Sequence, residues 1–233
     1  MDDKQNKSDR RKQTLKMLQA MVGIGMMSAL MISMTFEGTM SRIKSNRAKA
    51  LEKAIFQVVP GIESKKAFVL DASNKLVPAE GEASGEGVIY AGYNSEYQLK
   101  GIAIEARGIG FADVIKILYG YDIEREVIVG FHVLESKETP GLGDKIEKDD
   151  EFLANFDQLD VALNDVGSAL KNQIVPVKKG KKVNAWEVDG ITGATISSKA
   201  IGNILGASTA EWIPVIYGQQ AVFNISETVN ESE

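Results

Sequence analysis

Four hydroxyl side chains and two glycines crowd into the stretch Asp189-Gly190-Ile191-Thr192-Gly193-Ala194-Thr195-Ile196-Ser197-Ser198. Gly190 and Gly193 admit backbone angles that other residues resist. Thr192, Thr195, Ser197 and Ser198 supply oxygens that can bind an anion or be esterified. Behind them, Ala200, Ile201, Ile204, Leu205, Ala207 and Ser208 recur at helical spacing. The stretch is therefore expected to lead into a helix N-terminus, where free amides and the dipole favour a phosphate. Lys199 adds positive charge for such a group, although the helix dipole opposes a cation there. The same residues also fit an ordinary turn in which Thr195 or Ser197 is a plain N-cap.

A second stretch has loop chemistry of a different kind: Glu138-Thr139-Pro140-Gly141-Leu142-Gly143-Asp144-Lys145-Ile146. Pro140 stiffens it and removes one donor, and Gly141 and Gly143 permit close backbone approach. Such a loop can lie against a flat ring, offer N–H groups to its polar edge and press Leu142 on its face. A turn ahead of a helix at residues 149–156 is the plainer reading.

Asp-Gly-Ile-Thr-Gly-Ala-Thr followed by Ser-Ser closely resembles the attachment motif of covalent-flavin domains. In that family a flavin transferase joins the phosphate of FMN to the last threonine, which here is Thr195. The loop Glu138, Thr139, Pro140, Gly141, Leu142, Gly143 is similar to that of the G subunit of Rnf electron-transport complexes. The C subunit of sodium-pumping NADH:quinone oxidoreductases shares it. The resemblance spans nearly the whole chain and implies covalent FMN, an electron-relay role in an ion-translocating membrane complex, and integral-membrane and redox subunits as partners. The implied cofactor-binding residues are Thr195, Thr192, Gly193, Ala194, Ser197 and Ser198, with Glu138, Thr139, Pro140, Gly141, Leu142 and Gly143. Glu138 is expected behind the residues that touch the ring, since a carboxylate beside an anionic reduced flavin is unfavourable unless hydrogen-bonded. Where some members carry His, this chain has Ser136.

Composition removes other chemistries. The 233 residues contain no Cys and one His, His132, so disulfides, cysteine-ligated iron–sulfur clusters, thiol nucleophiles and a His-rich metal site are excluded. A lone His on an apolar strand is expected to be structural. Gly108 and Gly110 form no complete dinucleotide fingerprint, and there is no P-loop. No basic, aromatic-bearing groove points to nucleic acid. The net charge of −5 is uneven: residues 1–16 carry six Lys/Arg against three Asp, residues 42–53 five against one Glu, and the chain after residue 53 sixteen basic against twenty-seven acidic side chains.

The elements that must position these stretches begin with a basic tail at 1–16, disordered or lying along a membrane. Residues 17–36 are uncharged and as a helix reach about 30 Å, the thickness of a hydrocarbon core. They are expected to be a retained transmembrane helix, with the N-terminus cytoplasmic and the main domain extracytoplasmic. Gly23, Gly25, Ser28 and Ala29 give it a small-residue patch. A juxtamembrane helix is expected within 37–60, ended by Val59-Pro60-Gly61, then an FMN-binding domain at 61–218 and a polar tail at 219–233. Strands are expected at 66–70, 87–93, 97–106, 113–119 and 125–134, with turns at Asn94-Ser95 and near Gly120-Tyr121-Asp122. Further on come a helix around 166–170, strands at 174–177 and 183–188 joined by a lysine-rich hairpin, and a helix from Thr195 to about Glu211 or beyond. The fold class is α+β: a twisted, mainly antiparallel sheet with flanking helices, preceded by one N-terminal transmembrane helix.

Two rival functions share this outline. A stand-alone, membrane-anchored flavoprotein reductase keeps the cofactor; a non-redox extracytoplasmic binding or scaffold domain does not, and its Thr-Gly-Ala-Thr segment is merely loop and cap.

Overall fold

The computed structural model describes residues 2–79, 85 and 87–224. It divides into two compact units, Met1–Lys49 and Ala50–Glu233. The first is helical throughout its described length and belongs to α1, Asp2–Val58. The helix thus includes residues 2–16, expected to be disordered or to lie along a membrane, and runs unbroken through the expected boundary between transmembrane and juxtamembrane helices. Residues 13–58 are long and apolar enough to cross a membrane, and are the only such helix among the described residues.

The second unit is built on a seven-stranded antiparallel sheet in the order β2-β1-β3-β4-β5-β6-β7. Its strands are β1 (Ser64–Leu70), β2 (Leu76–Pro78), β3 (Val88–Tyr93), β4 (Leu99–Ile109), β5 (Val114–Asp122), β6 (Val127–Glu135) and β7 (Leu159–Asp160). The apolar residues alternate in the strand period, so each central strand feeds two cores. Ile102 and Ile104 of β4 with Ile115, Ile117, Tyr119 and Tyr121 of β5 face one core, shared with α3 (Thr195–Gly218). Ala103 and Leu118 face the other, formed with Ala54, Ile55, Val58 and Val59 at the end of α1. Two paired glycines, Gly120 and Gly130, sit under that end. A Cβ on either would run into the backbone of Val58, so a bare patch on β5 and β6 is what lets the helix approach.

Several local expectations change. Gly120 and Tyr121 lie inside β5, and the turn comes at residues 123–126, where the Asp122 carboxylate accepts from the amides of Glu124 and Arg125, both at 3.0 Å. The helix expected at 166–170 is a turn: Ser168 N donates to Asn164 Oδ1 at 3.0 Å, Gly167 has φ +72°, and Leu163 bridges Leu170. The strands β8 (Val175–Val177) and β9 (Glu187–Asp189) pair in parallel, which rules out a hairpin. The segment expected to start β9 at Val183 is instead closed on itself, with Glu187 accepting from the amides of Val183 and Asn184 at 2.7 and 2.9 Å. Helix α2 (Asp150–Leu153) is capped by Asp149, whose carboxylate accepts from Phe152 N at 3.0 Å. Residues 219–224 belong to the fold rather than to a tail. Gln219 accepts from Leu76 N at 2.8 Å, and the buried Phe223 packs on Phe68 with ring centroids 5.0 Å apart. The rest of the expected tail, 225–233, lies outside the described residues.

Candidate functional site

Helix α3 begins at Thr195, and its N-cap is Ala194, which makes no side-chain capping bond. Neither Thr195 nor Ser197 caps it. The first intrahelical amide bond is Ser198 N to Ala194 O at 2.9 Å. The amides of Thr195, Ile196 and Ser197 therefore have no acceptor among the described residues and form the positive end of the helix.

The hydroxyls around this end are sorted by direction. Ser197 is buried, and its Oγ donates to Glu138 Oε2 at 2.5 Å. Ser198 is buried too; its Oγ accepts from Ile191 N at 3.2 Å and donates to Thr195 O at 3.3 Å. Thr192, Gly193 and Thr195 are exposed, and Ala194 is buried. Gly193 holds φ +84°, a left-handed turn suited to glycine, and a Cβ there would lie 3.9 Å from Lys145 Nζ.

The two stretches singled out in the sequence meet at Glu138. Its side chain is 6 % exposed and accepts from Phe111 N at 2.8 Å and Ala112 N at 3.0 Å as well as from Ser197. Burial pushes this carboxyl up, but the Ser197 hydroxyl and the amides of Ala112, Phe111 and Asp113 more than offset it and hold the group below the usual carboxylate range. Gly143 is buried against the pair: a Cβ there would sit 2.5 Å from Glu138 Oε2 and 2.9 Å from Ser197 Oγ. Glycine is needed at 143 for that contact. Thr139, Pro140, Gly141 and Leu142 form the exposed crest of the loop, closed by Leu142 N to Thr139 O at 3.1 Å, with Gly141 at φ +78°. Leu142 is 52 % exposed, an apolar side chain offered to whatever lies over the loop.

Residues outside the two motifs complete the arrangement, some of them through Asp189 at the head of the first. Asp189 accepts from Gly180 N at 2.9 Å and Lys181 N at 3.2 Å. Its main chain is gripped by the buried Asn155, whose Oδ1 accepts from Asp189 N at 3.0 Å and whose Nδ2 donates to Asp189 O at 3.2 Å. A groove of about 420 Å³ opens between the end of β4 and the first turns of α3, with Arg107, Gly108, Ile109, Thr195, Lys199 and Asn203 among its walls. Gly108 lets the helix come this close; a Cβ would meet Ile204 Cγ1 at 2.5 Å. Nothing in the local sequence marks Arg107 or Asn203, because the groove exists only once β4 and α3 pack together. Open amides, an exposed threonine, two nearby lysines and an apolar-walled groove fit a phosphate carrying a larger, partly apolar body.

Comparison with known proteins bears on the same residues. The family model described as an FMN-binding domain matches residues 110–208. In fold, the chain is similar to the C subunit of a Na(+)-translocating NADH-quinone reductase from Parabacteroides distasonis. That likeness has a TM-score of 0.57 at 21 % identity and covers 75 % of this chain and 96 % of the other. In sequence, it is 27 % identical over 196 residues to the G subunit of the ion-translocating oxidoreductase complex of Methanosarcina acetivorans, across 83 % of this chain and 92 % of that one. The corresponding protein of Vibrio vulnificus is 31 % identical over 173 residues, across 73 % of this chain and 76 % of that one. With both signature stretches meeting at one site, and identity sustained across most of such relatives, the chain belongs to the family of G subunits of ion-translocating oxidoreductase complexes.

Proposed function

We propose that this chain is the electron-relay subunit of an ion-translocating oxidoreductase complex in the membrane, and that it carries FMN bonded through its phosphate to Thr195. The observation that carries the attachment is the exposed Thr195 at an uncapped helix N-terminus, with Ser197 and Ser198 buried and hydrogen-bonded within the protein. Thr195 forms the ester, and the amides of the first turn of α3 receive the phosphate. Thr192, Gly193 and Ala194 shape the approach, while Ser197 and Ser198 hold the turn. Glu138 fixes Ser197 and the 110–113 loop from behind. Thr139, Pro140, Gly141, Leu142 and Gly143 form the loop against the ring. A bound flavin supplies reversible electron transfer; the protein supplies attachment, orientation and local charge. Attachment through the phosphate leaves the ring free of any bond to protein.

A flavin transferase makes the ester, and the other redox and integral-membrane subunits exchange electrons with the domain. Residues 17–36 cross the membrane once, the N-terminus is cytoplasmic, and the flavin domain, 61–218 with the docked residues 219–224, lies outside. Support for this reading comes from the relatives named above and from the fit of the site to a phosphate.

The test is intact-mass spectrometry after denaturing purification from cells that also express a flavin transferase, with Thr195→Ala alongside. An FMN-sized adduct, less one water, in the natural chain and absent from the variant is the expected result. An unmodified chain, with the transferase shown active on another substrate, refutes the flavin ester.

A further inference from the structure

We propose that the lysine loop at residues 178–182 is a docking surface for an acidic patch on another protein subunit, a proposal that rests on the reading of this chain as part of a multi-subunit complex. Four of the sixteen basic residues after position 53 fall in these five positions, around Gly180, in a region that carries twenty-seven acidic side chains. A loop of lysines that is merely solvated needs no fixed backbone. This one is pinned. Asp189 takes the amides of Gly180 and Lys181, Lys181 N donates to Lys178 O at 2.9 Å, and Gly180 turns the chain at φ +73°.

The four lysines divide into two kinds. Lys179 pairs with Glu151, and Lys182 Nζ donates to Asn155 Oδ1 at 3.1 Å, so these two tie the loop to the domain. Lys178 and Lys181 are exposed and have no carboxylate partner among the described residues. Beside them Val183 is 87 % exposed. Two free cations on a fixed backbone, with an apolar side chain next to them, make a preorganised polar contact with an apolar anchor. Charge of this kind steers a partner and sets its orientation more than it adds affinity. The location suits electron exchange. A Cβ on Gly190 would lie 3.7 Å from Lys179 N and 3.4 Å from Ser198 Oγ. The loop thus lies against the segment that leads into Thr195, and a subunit held there is brought to the flavin site.

The test uses the full chain purified within its membrane complex and a water-soluble carbodiimide, which joins a lysine amine to a carboxylate with loss of water. Peptide mass spectrometry is expected to find Lys178 and Lys181 joined to Asp or Glu of another polypeptide. Because the contact is screened by salt, the yield should fall about fivefold or more between about 50 mM and about 0.5 M salt, as the Debye length shortens. Lys178→Glu/Lys181→Glu should lower it about tenfold, the effect of roughly 1.4 kcal/mol, with an unchanged melting temperature. Lys75→Glu/Lys100→Glu, elsewhere on the domain, should leave it unaltered. Coupling confined to this chain, no coupling, or indifference to the charge reversal overturns the proposal. So does loss, in the Lys178→Glu/Lys181→Glu variant, of binding to phosphatidylglycerol vesicles when no protein coupling is found; the loop would then be a lipid site. Mass analysis of the same sample separates this from the flavin reading. Coupling without an adduct at Thr195 refutes the flavin alone, an adduct without coupling refutes the docking surface alone, and a chain that co-purifies with no other subunit overturns the docking surface and the subunit reading, whatever its mass at Thr195.

Discussion

Replacing Glu138 with alanine removes the acceptor shared by one loop and a helix. Three donors lose their partner: Phe111 N, Ala112 N and Ser197 Oγ. A hydrogen bond to a charged group contributes about 1.5–3 kcal/mol, with the lower end apt for amides that water can reach. Phe111 and Ala112 are exposed and recover solvent, whereas Ser197 does not. The sum, which is less than additive for neighbours, comes to about 3 kcal/mol. For a domain of this size that lowers Tm by about 6–12 °C. Glu138→Gln keeps an oxygen for the two amides and loses the charge, so it should lose about half as much. The pH dependence has a definite sign. Hydrogen bonding holds the Glu138 carboxyl below its ordinary value of 4.5 in the folded state. Its contribution is complete above that value and is lost as pH falls through the folded pKa. The stability gap between the natural chain and Glu138→Gln should therefore be constant from pH 7 to about 5 and close on further acidification. Urea unfolding of the full chain in detergent, followed by the fluorescence of Trp186 and Trp212, measures both. An alanine variant within about 0.5 kcal/mol of the natural chain, or a gap that widens in acid, refutes the reasoning.

Gly120→Ala and Gly130→Ala should each destabilise the domain by about 2–3 kcal/mol in the same unfolding assay, since a methyl at either strikes the backbone of Val58. The double variant should lose less than the sum, because one withdrawal of the helix end relieves both; strict additivity would place the clashes elsewhere. Asp189→Ala leaves the amides of Gly180 and Lys181 without their acceptor, a loss of about 1–2 kcal/mol. Trypsin should then cut within 178–182 about tenfold faster, and an unchanged cleavage rate counts against the pinned loop. The chain has no native Cys, so single cysteines at Ser8 and Lys100 report orientation. In intact cells an impermeant maleimide should label position 100 and spare position 8, and the reverse pattern inverts the topology.

The sequence exposes what is local. Strands with alternating apolar residues, the uncharged run at 17–36 and the hydroxyl-rich turn before α3 each declare themselves within a few positions. Glu138 does not declare its role, because its partners lie 26 to 59 residues away and become neighbours only when β4, β6 and α3 pack. Glycines mislead for the same reason. Gly120 reads as a turn residue beside Asp122, yet it sits in mid-strand to admit Val58. The Lys-Lys-Gly-Lys-Lys run reads as a hairpin turn, but the strands on either side run parallel, a relation that local residue types do not encode. Conversely, the helix expected at 166–170 gives way to a turn, set by the Asn164 side chain and the backbone angle of Gly167.

Val58 rests against the paired glycines of β5 and β6, the fifth and sixth of the seven strands. A tug on the polypeptide at that point loads both strands of this pair directly. The antiparallel ladder between them, from Lys116 opposite Glu135 to Asp122 opposite Val127, then shares the strain. β6 ends at Glu135, three residues before Glu138, so the same strand that takes the load carries the brace of the Thr195 turn. The junction is thus built to keep its mechanical integrity under force, and optical-tweezer pulling from residue 50 should meet its main resistance there.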